Sequence, residues 1–164
     1  MAYHMMKLRK HWLVFTMEVK SFKRYYVPTS DQRTGDENGR LYSIWKHYEN
    51  TRELPPMELY VTTFNPHVLK GPHLHKTRWD YFTCIKGKIA IIVRDHDGKY
   101  HEFISSEDEP VTVEVPANVP SATINLTDEV AMVTNLCNPA WHPENEDNYN
   151  VEFKDYDFDK WRDE

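Results

Sequence analysis

The feature that most limits how this chain can fold is its punctuation. Between Met57 and Leu136 short apolar runs alternate with turn residues, and helical periodicity is almost missing. Met57, Leu59 and Val61 alternate with Glu58, Tyr60 and Thr62, and Val111, Val113 and Val115 alternate with Thr112 and Glu114. Such period-two runs predict half-buried strands. Further strands are predicted at 81–85, 88–94, 100–104, 122–126 and 130–136, with 81–85 and 88–94 paired around Gly87. Asp95-His96-Asp97-Gly98 has the composition of a tight hairpin turn. Many short strands with turns between them predict an all-β chain: one domain over 1–164, folded as a barrel or double-sheet jelly roll.

The flanks read less sharply. Trp12–Phe15 and Tyr25–Val27, the second closed by Pro28, predict one or two edge strands. Thr29–Gly39 reads as a loop, Leu41–Trp45 as a strand and Glu49–Pro56 as a second loop. Residues 1–10 are set apart as an unstructured arm or an added leader before Met6. Residues 142–164, acidic and aromatic, are expected to pack on the barrel as a tail, with one short helix near Phe158–Trp161.

Composition narrows the partners. The chain has 164 residues and a formal net charge of −6. That argues against nucleic acid or an acidic membrane surface as the main partner. No apolar run approaches the length of a membrane span, and Lys7, Arg9, Lys10 and His11 break any signal-peptide pattern. The only two cysteines, Cys84 and Cys137, form no disulfide framework and have no zinc spacing. A cytoplasmic setting follows.

The chemistry concentrates in Lys70-Gly71-Pro72-His73-Leu74-His75-Lys76, with Asp80 on what should be the next strand. Two histidines one residue apart on a strand share a face. A neutral imidazole in a partly buried barrel is a competent general base near neutral pH. Lys70, Lys76, Arg78, Lys86 and Lys88 are nearby cations for an enolate or a diphosphate. Tyr60, Trp79 and Tyr81 are candidates to stack on a base or sugar. Alternatively, His73, His75 and Asp80 make a two-histidine, one-carboxylate set of the kind that suits non-haem iron.

The spacing resembles the cupin superfamily. His73-x-His75, Asp80 and Gly87 match its first motif, with Asp80 where metal-binding cupins usually carry Glu. Pro116-Ala117-Asn118-Val119-Pro120-Ser121, with Asn125 in register, matches the second, with Asn118 in place of Gly and Ser121 in place of His. Lys70-Gly71-Pro72-His73 further resembles the Arg-Gly-Leu-His signature of the dTDP-4-dehydrorhamnose 3,5-epimerase family, the RmlC-like cupins. The likeness continues at Asp36–Leu41, Asp95, Val115-Pro116, Leu126-Thr127-Asp128 and Trp141-His142-Pro143-Glu144. His73-Leu74-His75-Lys76 is similar as well to the dTDP-sugar 3,4-ketoisomerases.

The resemblance implies that His73 is the general base, that Lys70 stands for a substrate-binding Arg, and that His75 takes the place of an epimerase Gln or a second functional ketoisomerase His. It also sets out departures. Asn135 falls on the epimerases' acidic Tyr, Asp80 on an active-site Lys and Ser121 on the second-motif His, while Asp155, Asp157 and Asp159 are candidates for the Asp that orients the base. The expected function is epimerisation of a nucleotide-diphospho 4-keto-6-deoxy sugar by proton abstraction next to the ketone. A 3,4-ketoisomerase and a metal-binding or non-catalytic sugar-binding cupin stay open. The expected site is His73 and His75 as catalytic groups and Lys70, Lys76, Arg78, Tyr60, Tyr81 and Asn135 as substrate contacts. No cofactor or resident metal is expected, and the partners are a small-molecule nucleotide sugar and a second copy of the chain.

Overall fold

A computed structural model describes residues 18–49 and 52–161. Twelve strands run in chain order: β1 Lys20–Lys23, β2 Val27–Ser30, β3 Glu37–Leu41, β4 Glu58–Phe64, β5 Leu69–Leu74, β6 Trp79–Lys86, β7 Lys88–Arg94, β8 Tyr100–Ser106, β9 Val111–Val115, β10 Ser121–Asn125, β11 Ala131–Asn138 and β12 Tyr149–Asn150. The only helical turns among the described residues are two three-residue 3₁₀ turns, His47–Glu49 and Asp159–Trp161. None is long and apolar enough to cross a membrane.

Ten strands form two five-stranded sheets, ordered β1-β9-β6-β11-β4 and β12-β5-β10-β7-β8, and β2 and β3 pair as a separate ribbon. Every pairing is antiparallel. The chain crosses repeatedly between the two large sheets, which is the predicted all-β jelly roll. The alternation explains it. Val113, Val115, Val133, Cys84 and Phe64 from the first sheet meet Ile89, Ile91 and Val93 from the second in one buried core. At about 25 cal/mol per Å² of apolar area, that contact is the main driving force for sheet pairing.

The two sheets also bury their outer faces. On the second, Ala90, Ile92, Ala122 and Ile124 are covered by the C-terminal segment through Phe153 and Trp161, with Val151, Tyr156 and Phe158 at the margin. On the first, Thr112 and Glu114 are fully buried beneath the segment that precedes β4. Thr112 accepts a hydrogen bond from Arg24 Nε and donates to the Ile44 carbonyl. Arg24 pairs with Glu49 at 2.6 Å, and Glu114 pairs with Arg52.

Several local expectations change. β6 and β7 do not pair with each other, because Gly87 carries the chain from one sheet to the other. It sits at φ +80°, and a Cβ there would stand 3.1 Å from that of Ala131. Local alternation cannot tell a hairpin from such a crossover, since both need a left-handed residue between two strands. Within Thr29–Gly39 the loop is confined to 31–36, and the ends belong to β2 and β3, which close a turn in which the Asp31 carboxylate accepts from the amides of Arg33 and Thr34. Pro28 sits inside β2 rather than ending it, which an edge position permits. Beyond Leu41 the expected strand to Trp45 does not form, and that stretch covers the first sheet instead. Trp12–Phe15 and residues 1–10 lie outside the described residues.

Candidate functional site

A cavity of about 410 Å³ opens at one end of the barrel between the two inner faces. Tyr60, Thr62 and Phe64 of β4 and Phe82 of β6 form one wall, Lys70 and His73 of β5 with Ser121 and Thr123 of β10 the other. The loop from Pro139 to Asn148 closes one side and brings Trp141 and Asp147 to the rim.

His73 reaches this wall because its backbone turns sharply just before it. Gly71 lies at φ +88°, and a Cβ there would approach the Ser121 carbonyl oxygen to 2.9 Å and the His73 nitrogen to 3.0 Å. Only glycine fits both the left-handed conformation and the close approach. Ser121 pairs directly across from His73 in the β5–β10 ladder. Burial lowers the His73 pKa below its ordinary 6.5, the neighbouring His75 lowers it further, and a hydrogen bond with Asn150 opposes both. Its Nδ1 is buried without a hydrogen-bond partner. Burial therefore favours the neutral form of the imidazole.

His75 has a different character. Its Nδ1 bonds the backbone carbonyl of Asp147, and its Nε2 lies 2.7 Å from the Arg78 guanidinium. Both ring nitrogens are therefore engaged. From Arg78 a chain of contacts runs inward. Arg78 Nε lies 3.2 Å from Asp80 Oδ1. The Asn135 amide donates to that same oxygen at 2.7 Å and to the Tyr60 hydroxyl at 2.6 Å. Burial pushes the Asp80 carboxyl up against the opposing pull of Arg78, His75 and Asn135. Burial alone would weaken the Arg78 charge, but Asp80 and Tyr60 outweigh it and raise its pKa. The Tyr60 phenol is pushed above its ordinary 10.0, first by burial and then by the charge on Asp80.

In this structure His75 is bonded to Asp147 and Arg78, and Asp80 to Arg78 and Asn135. Among the described residues no group of three histidine, cysteine or acidic side chains is placed to hold a metal ion.

Asp147 was not singled out in the sequence and holds the rim together. Its carboxylate accepts from the backbone amides of Lys76, Thr77 and Arg78 and from the Thr77 hydroxyl. Burial opposes the charge, but these four donors lower its pKa to about 2. In the sequence it is one acid in an acidic tail; the only signal was the possibility that a carboxylate caps the loop after His75. Trp141 is 59% exposed at the rim, its amide anchored on the Glu58 carboxylate at 2.7 Å. The second motif serves the frame. Asn118 takes φ +63° in place of the expected glycine, which asparagine tolerates, and bonds the carbonyls of His75 and Lys76. Asn125 donates to the Phe64, Asn65 and Glu129 carbonyls.

Of the sequence-predicted residues, the fold brings His73, His75, Lys70, Arg78 and Tyr60 to the cavity. Asn135 stands behind Tyr60 and touches it rather than the opening. Tyr81 does not contribute: one residue out of phase with Asp80, it faces the opposite side of its sheet, 1% exposed and packed edge-on against Trp79 and Phe22. Lys76 turns away, with its ammonium 4.1 Å from the Tyr149 ring centroid. Lys86 and Lys88 flank Gly87 and are not in the lining. Neither are Asp155, Asp157 and Asp159, and the group bonded to His73 is Asn150. Lys70 donates to Thr62 at 2.9 Å along the cavity wall.

Solved structures share this architecture. The chain is similar to ChmJ, a 3'-monoepimerase from Streptomyces bikiniensis in complex with dTDP-quinovose, with a TM-score of 0.66 and 19% identity over 82% of this chain and 70% of that one. A dTDP sugar isomerase from Desulfovibrio desulfuricans aligns with a TM-score of 0.68 and 14% identity over 83% of this chain and 85% of that one. At these identities the likeness is one of fold. The capsular polysaccharide assembling protein CapF from Staphylococcus aureus aligns at 26% identity and a TM-score of 0.54 over 58% of this chain. This chain spans only 26% of that protein's length. No curated protein matches. The family described as "Polysaccharide biosynthesis C-terminal domain" matches residues 34–149, more than half of the sequence. The chain belongs to the polysaccharide biosynthesis C-terminal domain family.

Proposed function

We propose that this chain is an isomerase of the epimerase type, acting on a nucleotide-diphospho 4-keto-6-deoxy sugar in the making of a polysaccharide. The observation that carries the reading is His73, an imidazole kept neutral in the wall of a cavity that cationic side chains also line. His73 removes the proton on the carbon beside the ketone. Arg78 and Lys70 supply the positive charge that an enolate or a diphosphate needs in a partly dry site. Trp141, exposed at the rim, offers a flat apolar face to a base or sugar ring. The likeness to a 3'-monoepimerase and to a dTDP sugar isomerase supports the substrate class. A 3,4-ketoisomerase that draws on a second histidine gains no support from His75, whose nitrogens are both occupied.

The working unit in this reading is one cupin domain paired as a homodimer in the cytoplasm. Both cysteines are free and buried, as suits a reducing compartment. Support for pairing comes from the lone β2–β3 ribbon and from β4, an edge strand with Leu59 and Val61 62% and 54% exposed and Met57, just before it, 67% exposed.

The test is proton exchange. Incubation with dTDP-4-keto-6-deoxy sugars in D₂O should place deuterium at a carbon beside the ketone, and His73→Asn should abolish it. No incorporation by the wild-type protein across several such sugars would overturn the reading.

A further inference from the structure

We infer that the Tyr60 phenol is the proton donor of this site, delivering a proton to one face of the carbon from which His73 takes a proton on the other. This rests on the isomerase reading and adds the second catalytic group. Tyr60 projects into the cavity from β4 in the first sheet and His73 from β5 in the second, so the two groups belong to different walls. A planar enolate held between them has one face toward each.

The hydrogen bonds around Tyr60 fit a donor. Asn135, its direct cross-strand neighbour, donates its amide N–H to the phenol oxygen at 2.6 Å. The amide's orientation is fixed because the same nitrogen donates to the Asp80 carboxylate, which is held in turn by Arg78. The phenol oxygen thus accepts from Asn135, and its own proton is left for the cavity. Once that proton is given up, the Asn135 N–H and the nearby guanidinium stabilise the phenolate. Burial and the Asp80 charge keep the phenol protonated at neutral pH, while burial and His75 keep His73 unprotonated. A pair whose environments push the two groups apart in this way divides naturally into acid and base.

The step balances. The His73 imidazole takes the proton as the carbon–hydrogen bond breaks, and the electron pair moves onto the ketone oxygen. The Tyr60 oxygen–hydrogen bond then breaks as the carbon is protonated from the other face and the ketone re-forms. Imidazolium and phenolate return to their starting states by losing one proton to water and taking one from it. The carbon is inverted, the outcome of an epimerase.

The experiment separates exchange from inversion, using the full chain and a dTDP-4-keto-6-deoxy sugar in D₂O. Tyr60→Phe is expected to keep deuterium exchange, because His73 can return a deuteron to the face it deprotonates, while inverted product falls by about 10²–10⁴-fold. His73→Asn should lose both. Replacing Tyr60 by 3-fluorotyrosine keeps the ring, the hydroxyl and the bond to Asn135 but makes the phenol more acidic, so the alkaline limb of inversion should move to lower pH. Inversion that survives Tyr60→Phe, exchange and inversion lost together, or an alkaline limb unmoved by the fluorine would each overturn the assignment and leave the isomerase reading standing. Absence of exchange in the wild-type protein would overturn both.

Discussion

His73 and His75 look equivalent in the sequence, yet one His73 ring nitrogen has no hydrogen-bond partner while both nitrogens of His75 are engaged. The protonation states required of His73 and Tyr60 set the pH dependence. His73 works as the neutral base, and its pKa is lowered from 6.5, so activity should fall only as pH drops through that lower value. Tyr60 works as the protonated acid, and its pKa is raised from 10.0, so activity should fall only as pH climbs through that higher value. A profile of kcat/KM against pH should show its acid limb below 6.5 and its alkaline limb above 10.0. An acid limb above 6.5 would mean that His73 is not the titrating base.

Two elements hold the site from outside the barrel strands. The rim loop is tied down by Asp147, whose carboxylate receives three amides and a hydroxyl. Asp147→Ala should leave the core intact and open the loop, with exchange of the Lys76, Thr77 and Arg78 amides rising by about 10-fold, or ~1.4 kcal/mol. Unchanged protection at those amides would argue against the clasp. With its folded pKa lowered to about 2 from the ordinary 3.8, the Asp147 contribution is full above that ordinary value and is lost as pH falls through about 2. The C-terminal segment is the second element. Phe153 lies 5.1 Å from the Tyr100 ring and stacks at 6.2 Å on Phe158, over the outer face of the second sheet. Phe153→Ala should cost about 3–5 kcal/mol in denaturant unfolding. A loss well under 1 kcal/mol would show that the tail is an ornament rather than an outer layer.

At the scale of the whole molecule, apolar surface is left over. The ribbon of β2 and β3 pairs with neither large sheet, and a lone two-stranded hairpin is marginal in water. In the first sheet β4 is an edge strand with Leu59 and Val61 exposed. The proposed homodimer would cover these features. Sedimentation at micromolar concentration should give twice the chain mass, and Leu59→Lys with Val61→Glu should shift it to the monomer. A wild-type monomer would remove the dimer from the proposal.

Chain-local chemistry was sufficient for the strands, for the all-β class and for the general place of the site. Alternation marks strands because the side-chain period of two is a property of the backbone, as in Val111–Val115. His73, Gly71 and Pro116–Asn125 were legible because their spacing is short and contiguous. What pairs with what was not. Gly87 looks like a hairpin turn and is a crossover; Tyr81 and Tyr60 look alike and fall on opposite sides of one sheet. The partners that give His75, Asp80 and Tyr60 their character lie 72, 55 and 75 positions away, at Asp147, Asn135 and Asn135. Sequence determined which groups the protein has to work with. Tertiary structure decided which of them are desolvated, which are already hydrogen-bonded and which face the cavity, because burial and bonding depend on neighbours that only folding brings together.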